Sequence, residues 1–153
     1  MNFRDRMGHR VAETRNFFLF YKAAALTDEA SAAHALSHRD GFMIRLSVII
    51  LSWNTKTLLE ACLNSFFQAG LPYDPDVIVV DNGSGDGSPE SVAERFPEVR
   101  LIRNTHNMGY AQGINVGLNE VRGDFVLLLE SDTEVRPGAF EILVDFLQSH
   151  PDY

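Results

Sequence analysis

The stretch VIVVDNGSGDGS, residues 77–88, decides how this chain folds. Val77–Asp81 is a continuous β-branched run, which suits a strand buried on both faces rather than one with a wet side. A Gly/Ser/Asp loop follows, and Ser88-Pro89-Glu90 then reads as a helix start, with Ser88 as cap and Pro89 in the first turn. The same strand–helix unit recurs on either side. Upstream, LSVIIL (46–51) is another buried strand, and Thr55 or Thr57 caps a helix running to about Ala69, where Gly70 and Pro72 stop it. Downstream, VRLIR (99–103) is a short strand. Ile114, Leu118 and Val121 give Tyr110–Val121 a helical spacing despite Gly113 and Gly117. DFVLLL (124–129) is a fourth strand, and Pro137 opens a last helix, AFEILVDFLQ. The order β-α-β-α-β-α-β-α predicts an α/β fold: a parallel sheet with right-handed crossovers and helices on both faces.

Composition bounds what such a fold can do. The chain has 153 residues, 45% hydrophobic and 22% charged, enough to bury a core without staples. One cysteine, Cys62, excludes an intrachain disulfide and a cysteine-based zinc site, and a reducing cytoplasm is the expected compartment. Thirteen Lys+Arg against 21 Asp+Glu leave a net charge of −8, which repels a phosphate backbone, so no nucleic-acid partner is expected. Residues 43–153 hold 16 acids against 7 bases, so a phosphate-bearing ligand there needs a specific device, such as a metal ion. No apolar run reaches the roughly 20 residues of a membrane helix. FFLFYKAAAL (17–26) is interrupted by Lys22 and is short even for a signal peptide.

Residues 1–42 read differently from 43–153. They are Ala-rich and of mixed charge, and suggest a poorly structured or helical N-terminal extension, with Phe17–Ala35 as the helical part. His34 and His38 stand at i, i+4, but no third ligand is near, so two solvated histidines are the plainer reading.

Ligands of an open parallel sheet bind beyond the carboxyl ends of its strands. Here those segments are Ser52-Trp53-Asn54, then Asp81-Asn82-Gly83-Ser84 with Asp86, then NTHNMGY (104–110), then Glu130-Ser131-Asp132-Thr133-Glu134. Polar residues end every strand on one edge, which a purely structural sheet does not need. A dinucleotide fingerprint is excluded: the glycines follow the second strand, lack the G-x-G-x-x-G spacing, and stand beside Asp81 and Asp86. Asp81 suits a donor, such as a pyrimidine N3–H or ribose hydroxyls. Glu130 and Asp132, two apart at a strand end, suit a hard divalent cation whose other ligands are waters and phosphate oxygens.

In order, SVIILSWN, VIVVDNGSGDGS, NTHNMGYAQGINVGL and FVLLLESDTEVRPGAFEILVDFL resemble glycosyltransferase family 2, the inverting nucleotide-sugar transferases of the GT-A fold, closest in wording to its rhamnosyltransferase-like branch. The resemblance implies a Rossmann-like GT-A donor-binding half over residues 43–153, a UDP- or dTDP-sugar donor, Mg²⁺ or Mn²⁺, and a glycan or lipid-linked acceptor. It also implies a role in cell-surface polysaccharide assembly, at the inner face of the membrane. By the same match, Ser52 and Asn54 lie against the nucleotide. Asp81, with Asn82 and Ser84, holds base and ribose. Asn107, Gly109 and Asn115 wall the sugar-diphosphate pocket, and Asp132 is the metal ligand. Glu130 stands where relatives carry Asp or Asn, and its longer arm reaches ribose, metal or neither.

Other residues have plainer readings. Trp53 reads as packing, Arg103 equally as phosphate partner or strand-end arginine, His106 as solvated, Cys62 as a small core residue, and Gly117 as a close helix–sheet contact. Glu141 and Asp145 read as surface acids. An inverting transfer also needs a general base on the acceptor hydroxyl. No residue here matches the family's base, which is expected beyond Tyr153. A non-catalytic nucleotide-sugar binder, or an unrelated α/β nucleotide-binding module, are the alternatives.

Overall fold

Continuous apolar strands need cover on both faces, and the chain supplies it. The computed structural model describes residues 19–22, 45–70, 75–123 and 125–150. Its elements are β1 (Leu19–Lys22), β2 (Leu46–Ser52), α1 (Lys56–Gln68), β3 (Asp76–Asp81), α2 (Ser88–Arg95), β4 (Arg100–Arg103), α3 (Tyr110–Leu118), β5 (Phe125–Glu130) and α4 (Ala139–Ser149). They build a five-stranded sheet of order β1-β5-β2-β3-β4, with β5, β2, β3 and β4 mutually parallel.

The helices divide unequally between the faces. Leu59, Cys62, Leu63 and Phe66 of α1, Val92 of α2 and Phe140 of α4 pack with Val48, Ile50, Val77, Val79, Leu127 and Leu129 on one face. On the other face, Ile114 of α3 meets Ile49, Ile78, Val80, Val126 and Leu128. This division follows from the strand order. The chain steps outward from β2 to β3 to β4 and then returns across β2 to β5. A right-handed crossover in the reversed direction must use the opposite face. Gly117 lets α3 sit close: a Cβ there would stand 2.6 Å from Cγ2 of Ile49.

β1 departs from the sequence reading. Leu19–Lys22 pairs antiparallel with β5, Leu19 opposite Leu128 and Lys22 opposite Phe125, where the pattern over Phe17–Ala35 suggests a helix. Leu-Phe-Tyr carries strand propensity, and the outer edge of β5 offers unpaired backbone groups, a tertiary demand that local periodicity does not reveal. The remainder of that stretch, with His34 and His38, lies outside the described residues. Among the described residues, no helix is long and apolar enough to cross a membrane.

Cys62 is fully buried on α1, and that burial pushes its thiol up to about 12. Alkylation needs the thiolate. The folded chain is therefore expected to resist iodoacetamide at pH 8 and to label readily once unfolded in urea. Rapid labelling of the folded chain would contradict this placement.

Candidate functional site

The reversal of strand order between β5 and β2 is a topological switch point, the place at which open parallel sheets bind ligands in a crevice beyond the strand ends. Register makes the carboxyl edge flush. Ser52 stands beside Asp81, Asp81 beside Arg103, and Leu51 beside Glu130.

Asp81 is only 3% exposed. Its Oδ2 accepts the backbone N–H groups of Gly83 (3.2 Å) and Ser84 (3.0 Å), which fixes the carboxylate plane. Its Oδ1 is buried and has no hydrogen-bond partner. Among the described residues, only Thr133 Oγ1 shares that condition. An unmatched buried acceptor costs about 1–3 kcal/mol, more when charged, so Oδ1 marks a position where a donor is wanted.

The loops after β2 and β3 are clasped together. Asn54 takes a positive φ of 52°, which asparagine tolerates better than most residues. Its N–H donates to Ser84 Oγ (2.8 Å), and its Oδ1 accepts the N–H of Gly85 (2.8 Å). Asp86 extends the clasp: Oδ2 accepts the N–H of Lys56 at the start of α1 (2.9 Å), and Oδ1 accepts the N–H of Ser88 at the start of α2 (3.0 Å). Desolvation opposes the charge of Asp86, but the Ser88 hydroxyl and these amides outweigh it and hold its carboxyl below the ordinary range. The sequence reading gave Ser88 the role of cap. Instead Ser88 is the first residue of α2, and the Asp86 side chain two residues earlier takes the orphan amide. An Asp ahead of Gly-Ser-Pro is a start signal of the same kind, and could have been read so. Thr55 is the N-cap residue of α1 but makes no side-chain cap bond; its hydroxyl pairs with Ser52 Oγ (2.9 Å) instead.

Asn82, 2% exposed, organises the loop after β4. Its Nδ2 donates to Asn107 Oδ1 (2.9 Å) and to the Gly109 carbonyl (3.3 Å). Its Oδ1 accepts Asn104 Nδ2 and the Met108 N–H, both at 3.2 Å. All four hydrogen-bonding positions of the amide are thereby used. Asn107 and Gly109 thus stand beside Asn82 at the edge, whereas Asn115 is an exposed residue on α3, one turn further from it.

Two aromatics stand out from this edge. Trp53 is 52% exposed, not packed as its sequence suggests, because it follows the last β2 residue just before the left-handed turn at Asn54. Tyr110 is 55% exposed, and its hydroxyl donates to Glu130 Oε1 at 2.7 Å. Partial desolvation and that bond push the phenol up to about 12, so it remains a donor at neutral pH. Glu130 is therefore engaged across the mouth of the crevice, a contact that no spacing announces. Arg103 pairs with Glu90 (2.8 Å), the plainer of its two sequence readings, and the exposed His106 meets the Thr105 hydroxyl (3.1 Å).

Asp132 is exposed at the end of β5 between buried Ser131 and Thr133. Among the described residues, no group of three or more His, Cys, Asp or Glu stands together as a ready metal cage.

Together these features define an α/β domain with a flush polar edge and an unmatched buried carboxylate on it, at the end of β3. Residues 47–153 match the sequence profile described as Glycosyl transferase family 2, and the chain belongs to that family. It is 33% identical, over 117 residues, to an N-acetylglucosaminyl-diphospho-decaprenol L-rhamnosyltransferase of Mycobacterium tuberculosis, covering 69% of this chain and 38% of the relative. It is 29% identical over 102 residues to a cholesterol galactosyltransferase of Borreliella burgdorferi, covering 65% of this chain and 28% of that protein. Among solved structures, the UDP complex of S. aureus TarS superimposes with a TM-score of 0.64 at 25% identity, covering 71% of this chain and 33% of that one. A mannosyltransferase of Pyrobaculum calidifontis in complex with GDP-Man and Mn²⁺ gives 0.59 at 28%, covering 70% and 33%. The chain thus has the GT-A fold and spans between 28% and 38% of the length of these relatives.

Proposed function

We propose that this chain binds the donor of an inverting glycosyl transfer, a UDP- or dTDP-sugar whose sugar passes to a hydroxyl acceptor. The observation that carries the reading is the buried, unmatched Oδ1 of Asp81 at the carboxyl end of β3, beside β2. A pyrimidine N3–H or a ribose hydroxyl supplies the missing donor. The relative that binds UDP and the one that binds GDP-Man with Mn²⁺ support the ligand class.

Within that reading the residues divide by role. Asp81 contacts the nucleoside. Ser52, Asn54, Asn82 and Ser84 act one step back, since their polar groups already hold the loops that frame Asp81. Asn107 and Gly109 bound the sugar-diphosphate side, with Asn115 further along α3. Glu130, tied to Tyr110, faces the sugar or ribose rather than a metal.

Asp132 is the metal ligand. Its donor atoms are carboxylate oxygens, which fit Mg²⁺ or Mn²⁺, and the remaining coordination would come from water and diphosphate oxygens. A divalent ion bound there supplies the positive charge that a departing diphosphate needs. In the transfer the acceptor oxygen bonds to the anomeric carbon as its bond to diphosphate breaks, and a base takes the acceptor proton. That base is assigned outside residues 47–153, within the greater length of the relatives. A glycan or lipid-linked acceptor at the cytoplasmic membrane surface, in polysaccharide assembly, completes the proposal.

Calorimetric titration of UDP and dTDP, with and without Mn²⁺, tests it. Nucleotide binding is expected in both cases and tighter with Mn²⁺. Asp132→Ala is expected to abolish the Mn²⁺-dependent gain while keeping uridine affinity within about two-fold, since only the diphosphate end is affected. No binding of either nucleotide would end the proposal. The alternative reading is a nucleotide-sugar-binding module without transfer, and donor hydrolysis by the chain alone would count against it.

A further inference from the structure

Beyond β5 the chain alternates strictly: Ser131, Thr133 and Val135 are buried, and Asp132, Glu134 and Arg136 are exposed. Ser131 and Asp132 form a turn, in which the Thr133 N–H donates to the Glu130 carbonyl (3.1 Å), and an irregular stretch follows. How this turn and the stretch after it are seated therefore decides whether Asp132 faces outward at all.

What seats them is α1. Thr55 Oγ1, at its N-terminus, donates to Ser131 Oγ (3.2 Å). Seven residues on, the Cys62 thiol donates to the Glu130 carbonyl (3.6 Å) and faces the N–H of Thr133. Three residues further, Ser65 Oγ accepts the N–H of Val135 (2.9 Å). The Ser65 hydroxyl gives its own proton to the Cys62 carbonyl (2.8 Å), which leaves a lone pair for Val135. From Thr55 to Ser65 a helix rises about 15 Å. Residues 130–135 are thus fastened to α1 near its N-terminus, at its middle and towards its C-terminus.

We infer that Thr55, Cys62 and Ser65 are positioning residues for Asp132: α1 is a splint that fixes the seating of residues 131–135 and so directs the Asp132 carboxylate to the diphosphate end of the donor. This rests on the donor reading above. Cys62 and Ser65 bond only within α1 and to residues 130–135, so loss of the Ser65 hydroxyl affects only the metal-dependent part of binding, whereas Thr55 also meets Ser52 Oγ (2.9 Å) and so reaches the loop beside Asp81. A merely structural role would weaken all binding together, in step with stability.

The test is calorimetry on the full chain with uridine, and with UDP in the presence and absence of Mn²⁺, alongside thermal melting. The variants are Thr55→Val, Ser65→Ala and the conservative Thr55→Ser. Ser65→Ala is expected to lose about 5- to 10-fold of UDP affinity in Mn²⁺, the scale of one well-placed hydrogen bond, while uridine affinity stays within about two-fold; Thr55→Val is expected to lose the same share of the Mn²⁺ gain, on top of any loss of uridine affinity through Ser52. Thr55→Ser should restore the Mn²⁺ response. Two sites at opposite ends of α1 keep the test open should one variant fail to fold. Variants that keep the full Mn²⁺ gain, or lose uridine and UDP affinity in proportion, overturn the splint and leave the donor reading standing. A wild-type chain that binds UDP no better with Mn²⁺ overturns the metal reading, and the splint with it.

Discussion

Asp81→Asn is expected to weaken UDP or dTDP binding by roughly 10- to 100-fold, with or without metal, while changing the melting temperature little. The reason lies in how the carboxylate is held. Oδ2 is committed to the N–H groups of Gly83 and Ser84, and both are donors. An asparagine here must turn its only oxygen toward them. Its NH₂ then occupies the position of Oδ1, the buried acceptor without a partner. A ligand donor that met an acceptor would meet a second donor. The substitution preserves shape and inverts hydrogen-bond polarity at one atom, so it separates recognition from folding. Asp81→Ala removes both oxygens, and should lose the same affinity and some stability besides, because the Gly83 and Ser84 amides lose their acceptor. Asp81→Asn with wild-type affinity would show that Oδ1 does not meet the nucleoside. Calorimetry with uridine and UDP, beside thermal melting, reads both quantities.

The place of Asp81 at a strand end was legible in the sequence because one residue carries its whole signal: a carboxylate closing an apolar strand, with glycines after it. The sheet was legible for a similar reason. Four apolar runs and the helical spacing between them are local patterns, and the switch point follows from connection rules applied to them. The roles of Ser52, Asn54, Asn82 and Ser84 were not. Their types suit a ligand and a loop clasp equally well, and the choice depends on which loops meet. Asn54 finds Ser84 thirty residues away, and Asn82 finds Asn107 twenty-five away. Spacing along the chain cannot report such meetings. The same holds for Tyr110 with Glu130, and for the edge strand Leu19–Lys22, whose partner lies more than a hundred residues on. Trp53 shows the converse: a large apolar side chain suggests burial, but its place past the strand end leaves nothing to bury it.

Gly83→Ala is expected to cost about 3–5 kcal/mol of stability and to lower the melting temperature by about 10 °C or more. Gly83 has φ +78°, a region in which an L side chain is itself strained by about 1–2 kcal/mol. The larger effect is contact. A Cβ at Gly83 would lie 2.7 Å from Cα of His106, 2.8 Å from its C and 3.0 Å from its N. These are backbone atoms, so no rotamer change relieves the clash; the loop carrying His106 has to move. That loop is tied to Asn82 through Asn104, Asn107, Met108 and Gly109, so displacing it strips partners from a fully buried amide. Each buried polar group left unmatched costs about 1–3 kcal/mol, and the total is a large share of the 5–15 kcal/mol that holds a typical domain. Gly85→Ala, two residues along, is the matched control. No atom lies within 4 Å of its added Cβ, and the change should stay within about 0.5 kcal/mol. Urea melts of the two variants give the comparison directly. If Gly83→Ala costs no more than Gly85→Ala, then the loops after β3 and β4 do not meet as described, and the Asn82 network that frames the crevice is not what positions Asn107 and Gly109.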